Sequence, residues 1–190
     1  TMLANGVVSS NLERVMIGPG SVIHEDNLLA EVNACSDHLD ITKVFIHENA
    51  AVVMREHAAD EVQTMRAIGS TSKGVGTALI QRIQRNPEKM NIAKHALTGV
   101  LQDRVVTTSE WIKLIEKSER IQIEGAQGAS LSMYHGFYPY VTSRDVSQSQ
   151  VLADCGVPFA LGKTCEVIGT LRTFPIRVAN RYLFDKMVGY

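Results

Sequence analysis

Short apolar runs that stop at turn residues alternate with stretches of helical spacing, and this alternation most constrains what the chain can fold into. Arg14 to Ile17 is one such run; it ends at Gly18-Pro19-Gly20 and reads as a strand entering a turn. Asp26 to His38 follows, with Leu28, Leu29, Val32 and Cys35 at helical spacing. Lys43 to Ile46 is β-branched and aromatic, a second strand, and Ala51 to Ala67 reads as a helix broken by the glycine-rich stretch from Gly69 to Gly76. Gln81 to Arg85 begins another helix that Pro87 limits. Thr107, Thr108 and Ser109 offer N-caps for a helix around Glu110 to Glu119, with Trp111 and Leu114 facing the core. Ile121 to Ile123 reads as a short strand, Ser147 to Asp154 as a helix and Val167 to Leu171 as a last strand. Strands alternating with helices predict an α/β fold with a largely parallel central sheet and flanking helices. No repeat, low-complexity segment or linker interrupts residues 1–190, which read as one domain.

Composition narrows the function classes. A formal net charge of -1, with Lys and Arg dispersed, offers no electrostatic footprint for nucleic acid or a membrane surface. No apolar run approaches the roughly 20 residues of a membrane span, and the start shows no secretory signal, so the expected location is cytoplasmic. Three widely spaced cysteines fit reduced thiols, with Cys35 and Cys155 expected as small buried hydrophobes in helices. The six histidines form no H-E-x-x-H and no C-x-x-C occurs, so no metal site is expected within the chain.

Parallel α/β sheets bind ligands in loops at the carboxyl ends of their strands, and three loops here have suitable composition. In the first, Ile68 to Gly76, small residues let backbone N–H groups approach an anion and Ser70, Thr71 and Ser72 add hydroxyls. It matches neither a Walker A loop nor G-x-G-x-x-G, and by itself it fits a flexible turn equally well. The second, Glu124-Gly125-Ala126-Gln127-Gly128, presents an amide suited to a purine edge or a developing oxyanion. The third, Tyr138 to Asp145, carries hydroxyls and Arg144 ahead of a predicted helix, although Arg144 and Asp145 could pair with neighbours. His135 reads as a polar loop histidine.

Together these loops resemble the adenylosuccinate synthetases in order and spacing: Gly69-Ser70-Thr71, then Glu124 to Gly128, then Tyr138-Pro139-Tyr140-Val141-Thr142-Ser143. Asn5 to Val8, Arg14 to Gly18, Val167 to Thr170 and Ile176 to Val178 extend the likeness over nearly the whole chain. Ser118 to Ile121, Ser143-Arg144-Asp145 and Leu152-Ala153-Asp154 are closer to the short bacteriophage-encoded branch, whose similar ligases act on dGMP.

The resemblance implies a ligase that joins L-aspartate to C6 of a purine nucleoside monophosphate, dGMP in the phage branch or IMP in the wider family. ATP or GTP would drive the reaction with Mg²⁺, whose ligands are expected outside this chain. By resemblance, Thr71 and Thr142 contact the 5′-phosphate, and Arg85 reaches that phosphate across a homodimer. Gln127 is the catalytic residue at the C6 oxygen, and Val178 touches the sugar. Gly69, Ser70, Gly128 and Ser143 belong to the same loops. If the protein is phage-encoded, it works in the host cytoplasm.

The family's glycine-rich loop with its Lys, its catalytic carboxylate and its Gly-His-Thr-like motif find no match in residues 1–190. Both ends also read as abrupt, so further N- and C-terminal parts of the fold are expected. The chain alone is expected to be catalytically incompetent. The alternative is a non-catalytic nucleotide-binding or dimerisation module.

Overall fold

A computed structural model describes residues 2–65, 68, 70–158, 160, 165–171 and 173, and the backbone of residues 181–183 and 186–188. Its centre is the run of β-branched and aromatic residues that forms β3 (Val44–His47). Val44 and Ile46 are wholly buried, as expected of a strand covered on both faces in a parallel sheet. It lies between β1 (Val15–Ile17) and β5 (Val105–Val106), parallel to both, with Val15 opposite Val44 and Ile46 opposite Val105. A second parallel pair joins β2 (Val22–Ile23) to β4 (Ala51–Val52). Near the end, β6 (Arg181–Leu183) and β7 (Lys186–Val188) form an antiparallel pair. The α/β class with largely parallel pairing is therefore as the alternation predicts.

The helices differ in extent from the sequence reading. α1 (Glu25–Ala34) buries Leu28 and Val32 and stops short of the expected His38, because the chain turns to sink Leu39 into the core. Cys35 caps this helix half-buried, and Cys155 likewise caps α7 (Gln148–Asp154). Burial pushes the Cys155 thiol up to about 11, so it is no nucleophile near neutrality. The expected helix from Ala51 splits: Ala51 and Val52 pair as β4, and α2 (Arg55–Met65) starts after them. α3 (Val75–Gln84) begins six residues before the predicted Gln81, inside the glycine-rich stretch, and ends before Pro87 as expected. Two short helices, α4 (Ala93–Ala96) and α5 (Gly99–Gln102), precede β5.

α6 (Thr108–Glu116) is entered through a capping box between Thr107 and Glu110. It buries Trp111 and Ile115, four residues apart, while the expected core residue Leu114 is half-buried beside them. Two predicted strands do not form. Residues 121–123 and 167–171 form no regular element and pair with no strand among the described residues, and Ile168 and Leu171 are 80% and 97% exposed. β propensity alone does not hold a strand without a neighbour to accept its ladder.

At the end of β3, His47 is 3% exposed, its ring edge-on to Trp111 at 5.3 Å. Burial holds its imidazole below the ordinary value of 6.5, with Glu48 opposing the shift and Arg82 adding to it. The folded state thus prefers neutral His47. Its contribution is complete above pH 6.5 and is lost as the unfolded chain takes up the proton below that pH. Urea midpoints are expected to fall from pH 7 to pH 5, and His47→Gln to flatten that slope. An unchanged slope in the variant would remove His47 as its cause.

Candidate functional site

The turn at the carboxyl end of β1, Gly18-Pro19-Gly20, is met by the end of α7, by α3 and by the third candidate loop. Gly20 N–H donates to the Asp154 carbonyl at 2.8 Å, so the end of α7 rests directly on the turn. From α3, the Arg82 guanidinium donates to the Pro19 carbonyl at 2.7 Å. From the third loop, Arg144 donates to the Gly20 carbonyl at 3.0 Å and meets the Asp154 carboxylate at 3.4 Å. Arg144 thus bonds to neighbours, the structural reading left open by its sequence. Trp111 closes the assembly from below. Its indole N–H donates to the Cys155 carbonyl at 3.1 Å, and a methyl built on Gly156 would sit 3.1 Å from that nitrogen.

Close approach is why glycine occupies position 20. A methyl there would lie 2.6 Å from Asp154 Cα and nearer still to its carboxylate, whereas one on Gly128 would meet nothing within 4 Å. Gly20→Ala is expected to cost about 1–3 kcal/mol of stability through overpacking. Gly128→Ala is expected to stay within about 0.5 kcal/mol. Equal urea midpoints for the two variants would contradict this reading.

The second and third loops are sewn together. Leu131 N–H donates to the Gly128 carbonyl at 2.9 Å, Thr142 N–H to the Leu131 carbonyl at 2.7 Å, and Met133 N–H to the Arg144 carbonyl at 3.0 Å. Gln127 and Gly128 are thereby brought to the same region as Thr142 and Ser143. Both threonine and serine are half-buried, while Gln127 is exposed. Asp145 does not face a ligand: it accepts from the hydroxyls of Ser132 and Ser147, and these bonds hold its carboxyl below the usual range. His135 is an exposed loop residue whose backbone N–H bonds to Ser132 Oγ at 3.3 Å. Gln127 holds its backbone at φ 75°, in the left-handed region. For a residue other than glycine that costs about 1–2 kcal/mol, the kind of local strain that collects at functional sites.

The first loop is anchored on α2. Its glycines do bring backbone N–H groups to an anion, but the anion is the carboxylate of Glu61 in α2. Gly74 N–H donates to Glu61 Oε2, and Gly76 N–H to Oε1 at 3.3 Å. Glu61 is 4% exposed, and sequence reasoning missed it. The available signal was a Glu between His57 and Met65 at four-residue spacing, on the buried face of α2. Thr71 lies exposed ahead of α3, and Ser70 Oγ accepts from Ser72 N–H at 3.1 Å. Arg85 caps the far end of α3, exposed, with φ 52°. At 1.5 Å per residue, α3 puts about 15 Å between its two ends, with Thr71 ahead of one and Arg85 at the other. Gly69 and Val178 lie outside the described residues.

Among the described residues, no three His, Cys, Asp or Glu side chains gather where a metal ion could sit. No described helix is long and apolar enough to cross a membrane.

The sequence matches the family described as adenylosuccinate synthetase over residues 1–96 and 87–183. It is 39% identical to an N6-succino-2-amino-2′-deoxyadenylate synthase of Acinetobacter phage SH-Ab 15497, over 100% of this chain and 55% of the relative. It is 44% identical to the protein of the same name from Cyanophage S-2L, over 95% of this chain and 50% of the relative. Among solved structures, the succinoaminodeoxyadenylate synthetase of Cyanophage S-2L, bound to dGMP and to dATP as an energy donor, superposes with a TM-score of 0.86. That match has 42% identity and covers 95% of this chain and 51% of the other. The chain therefore spans about half the length of the relatives it matches.

Proposed function

The chain belongs to the adenylosuccinate synthetase family, and on that premise we propose that its protein joins L-aspartate to C6 of dGMP. A nucleoside triphosphate first phosphorylates the C6 oxygen. The aspartate amine then displaces inorganic phosphate, forming the C–N bond and giving the N6-succinyl product. The supporting observation for dGMP over IMP is the likeness to two phage proteins named for a 2-amino-2′-deoxy product. The related structure with dATP favours an adenine triphosphate as donor.

In this reading Gln127 lies at the C6 oxygen, and Thr142, with Ser143 beside it, grips the 5′-phosphate. The hydrogen bonds through Leu131 support a shared site for these groups. Thr71, with Ser70 in its loop, and Arg85 complete the phosphate grip, Arg85 from a second copy of the chain; a guanidinium fork suits phosphate oxygens. The separation imposed by α3 supports a homodimer, as do Ile80 and Ile83, 47% and 73% exposed on the helix that carries Arg85. Mixing inactive Thr71→Ala and Arg85→Ala variants is expected to restore part of the activity through mixed dimers. No recovery would sink the cross-subunit role.

The 190-residue chain alone is expected to bind dGMP without turning it over, since none of its loops has been matched to the family's triphosphate-handling loop. A soluble enzyme working in a host cytoplasm is the corresponding location. The test is production of N6-succinyl nucleotide from dGMP or IMP by the whole protein to which residues 1–190 belong, with aspartate and ATP or GTP, alongside calorimetric binding of both monophosphates. Product from dGMP supports the ligase. Binding with no product from either would favour a non-catalytic nucleotide-binding module.

A further inference from the structure

We propose that Glu61 is a positioning residue for the nucleotide phosphate: its buried carboxylate ties the loop bearing Ser70 and Thr71 to the first turn of α3. The inference rests on the reading above, in which Thr71 and Arg85, at the two ends of that unit, hold the 5′-phosphate.

A carboxylate that is 4% exposed must be repaid for lost hydration, and two backbone N–H groups, from Gly74 and Gly76, do so at the positive end of a helix. Both glycines are required by this grip. Gly74 has φ 78°, and a methyl on it would lie 2.9 Å from the Ala58 nitrogen. On Gly76 a methyl would lie 3.0 Å from Glu61 Oε1 and 2.9 Å from Met65 Cε.

Beyond its first turn, α3 is held by other buried polar groups. Asn91 donates to the Ala78 carbonyl at 2.9 Å. The His57 ring accepts from Met54 N–H at Nδ1, which leaves Nε2 to donate to Gln81 Oε1 at 2.9 Å. The helix is thus a fixed rod, and Glu61 is what joins the exposed Thr71 loop to it. It also follows that the Gly74 and Gly76 amides are occupied by the protein's own carboxylate. The substrate phosphate is therefore left to the hydroxyls and to Arg85.

Glu61→Gln keeps the shape but turns one acceptor into a donor facing an N–H. In the full chain, calorimetric titration is expected to show dGMP binding at least tenfold weaker, with deoxyguanosine, which lacks the phosphate, bound as before. Gly76→Ala, which crowds the same carboxylate without removing it, is expected to act in the same direction and less strongly; it serves if Glu61→Gln does not fold. Equal weakening of both ligands, or of neither, would overturn the proposal by showing a general structural role or none. A wild-type chain that binds dGMP no better than deoxyguanosine would also overturn it, since no phosphate grip would exist to organise. If the phosphate-selective loss appears but the whole protein to which the chain belongs forms no succinyl nucleotide, the ligase reading fails and the positioning role stands.

Discussion

Gln127→Gly is expected to lower kcat by about 100- to 1,000-fold, the usual loss when a single positioned donor is removed from a developing oxyanion. Fold stability, in contrast, is expected to stay within about 1 kcal/mol of the parent. Two backbone effects oppose each other there. Glycine relieves the left-handed strain at φ 75°, worth about 1–2 kcal/mol. It also gives the unfolded chain more freedom, worth about 0.4–1 kcal/mol the other way. The side chain is exposed, so no packing is lost. A residue kept for structure would show the reverse pattern, a shifted denaturation midpoint with activity following it. Measuring both on one preparation separates the cases, and unchanged turnover would withdraw Gln127 from the reaction.

Periodicity carried the sequence reading as far as side-chain pattern decides structure. β1 and β3 were legible because their apolar runs are buried, α1 because Leu28 and Val32 recur at four-residue spacing, and α6 because Thr107 offers its N-cap and Trp111 faces the core, whereas Ile115 and not Leu114 is its second buried residue. The two-residue strands β2, β4 and β5 were not legible, since a pair of residues has no period and their pairing is set by distant partners. Ile121 and Ile168 misled for the converse reason: each looks like a strand, yet neither finds a neighbour among the described residues.

The site divided along the same line. Loop motifs singled out Gln127 and Thr142 as candidates without any geometry, because family likeness lives in contiguous residues. Glu61 stayed hidden because its role depends on α2 lying beside the first turn of α3, a tertiary fact. The glycines of the first loop leave a flexible turn and an anion site equally open in the sequence, and Gly74 and Gly76 receive a carboxylate of the chain itself. Arg144 was read as open between ligand and neighbour, and only the position of Gly20 and Asp154 decides it.

Trp111→Ala is expected to cost about 3–5 kcal/mol, the range for removing a large buried aromatic. Trp111 is 3% exposed and meets His47 edge-on, Cys155 through its N–H and Gly156 through close contact. It therefore joins α6 to the end of β3 and to the chain just beyond α7. A cavity there frees the segment that rests on Gly18-Pro19-Gly20, so nucleotide binding is expected to weaken although Trp111 touches no candidate ligand group. Trp111→Phe divides the effect: it keeps most of the apolar area and an edge-on ring but leaves the Cys155 carbonyl without its donor, at about 1–3 kcal/mol. Urea unfolding of both variants, with dGMP titration on each, would show whether stability and binding fall together. If Trp111→Ala lost stability while binding dGMP as tightly as the parent, the turn at the end of β1 would not be what carries the nucleotide loops.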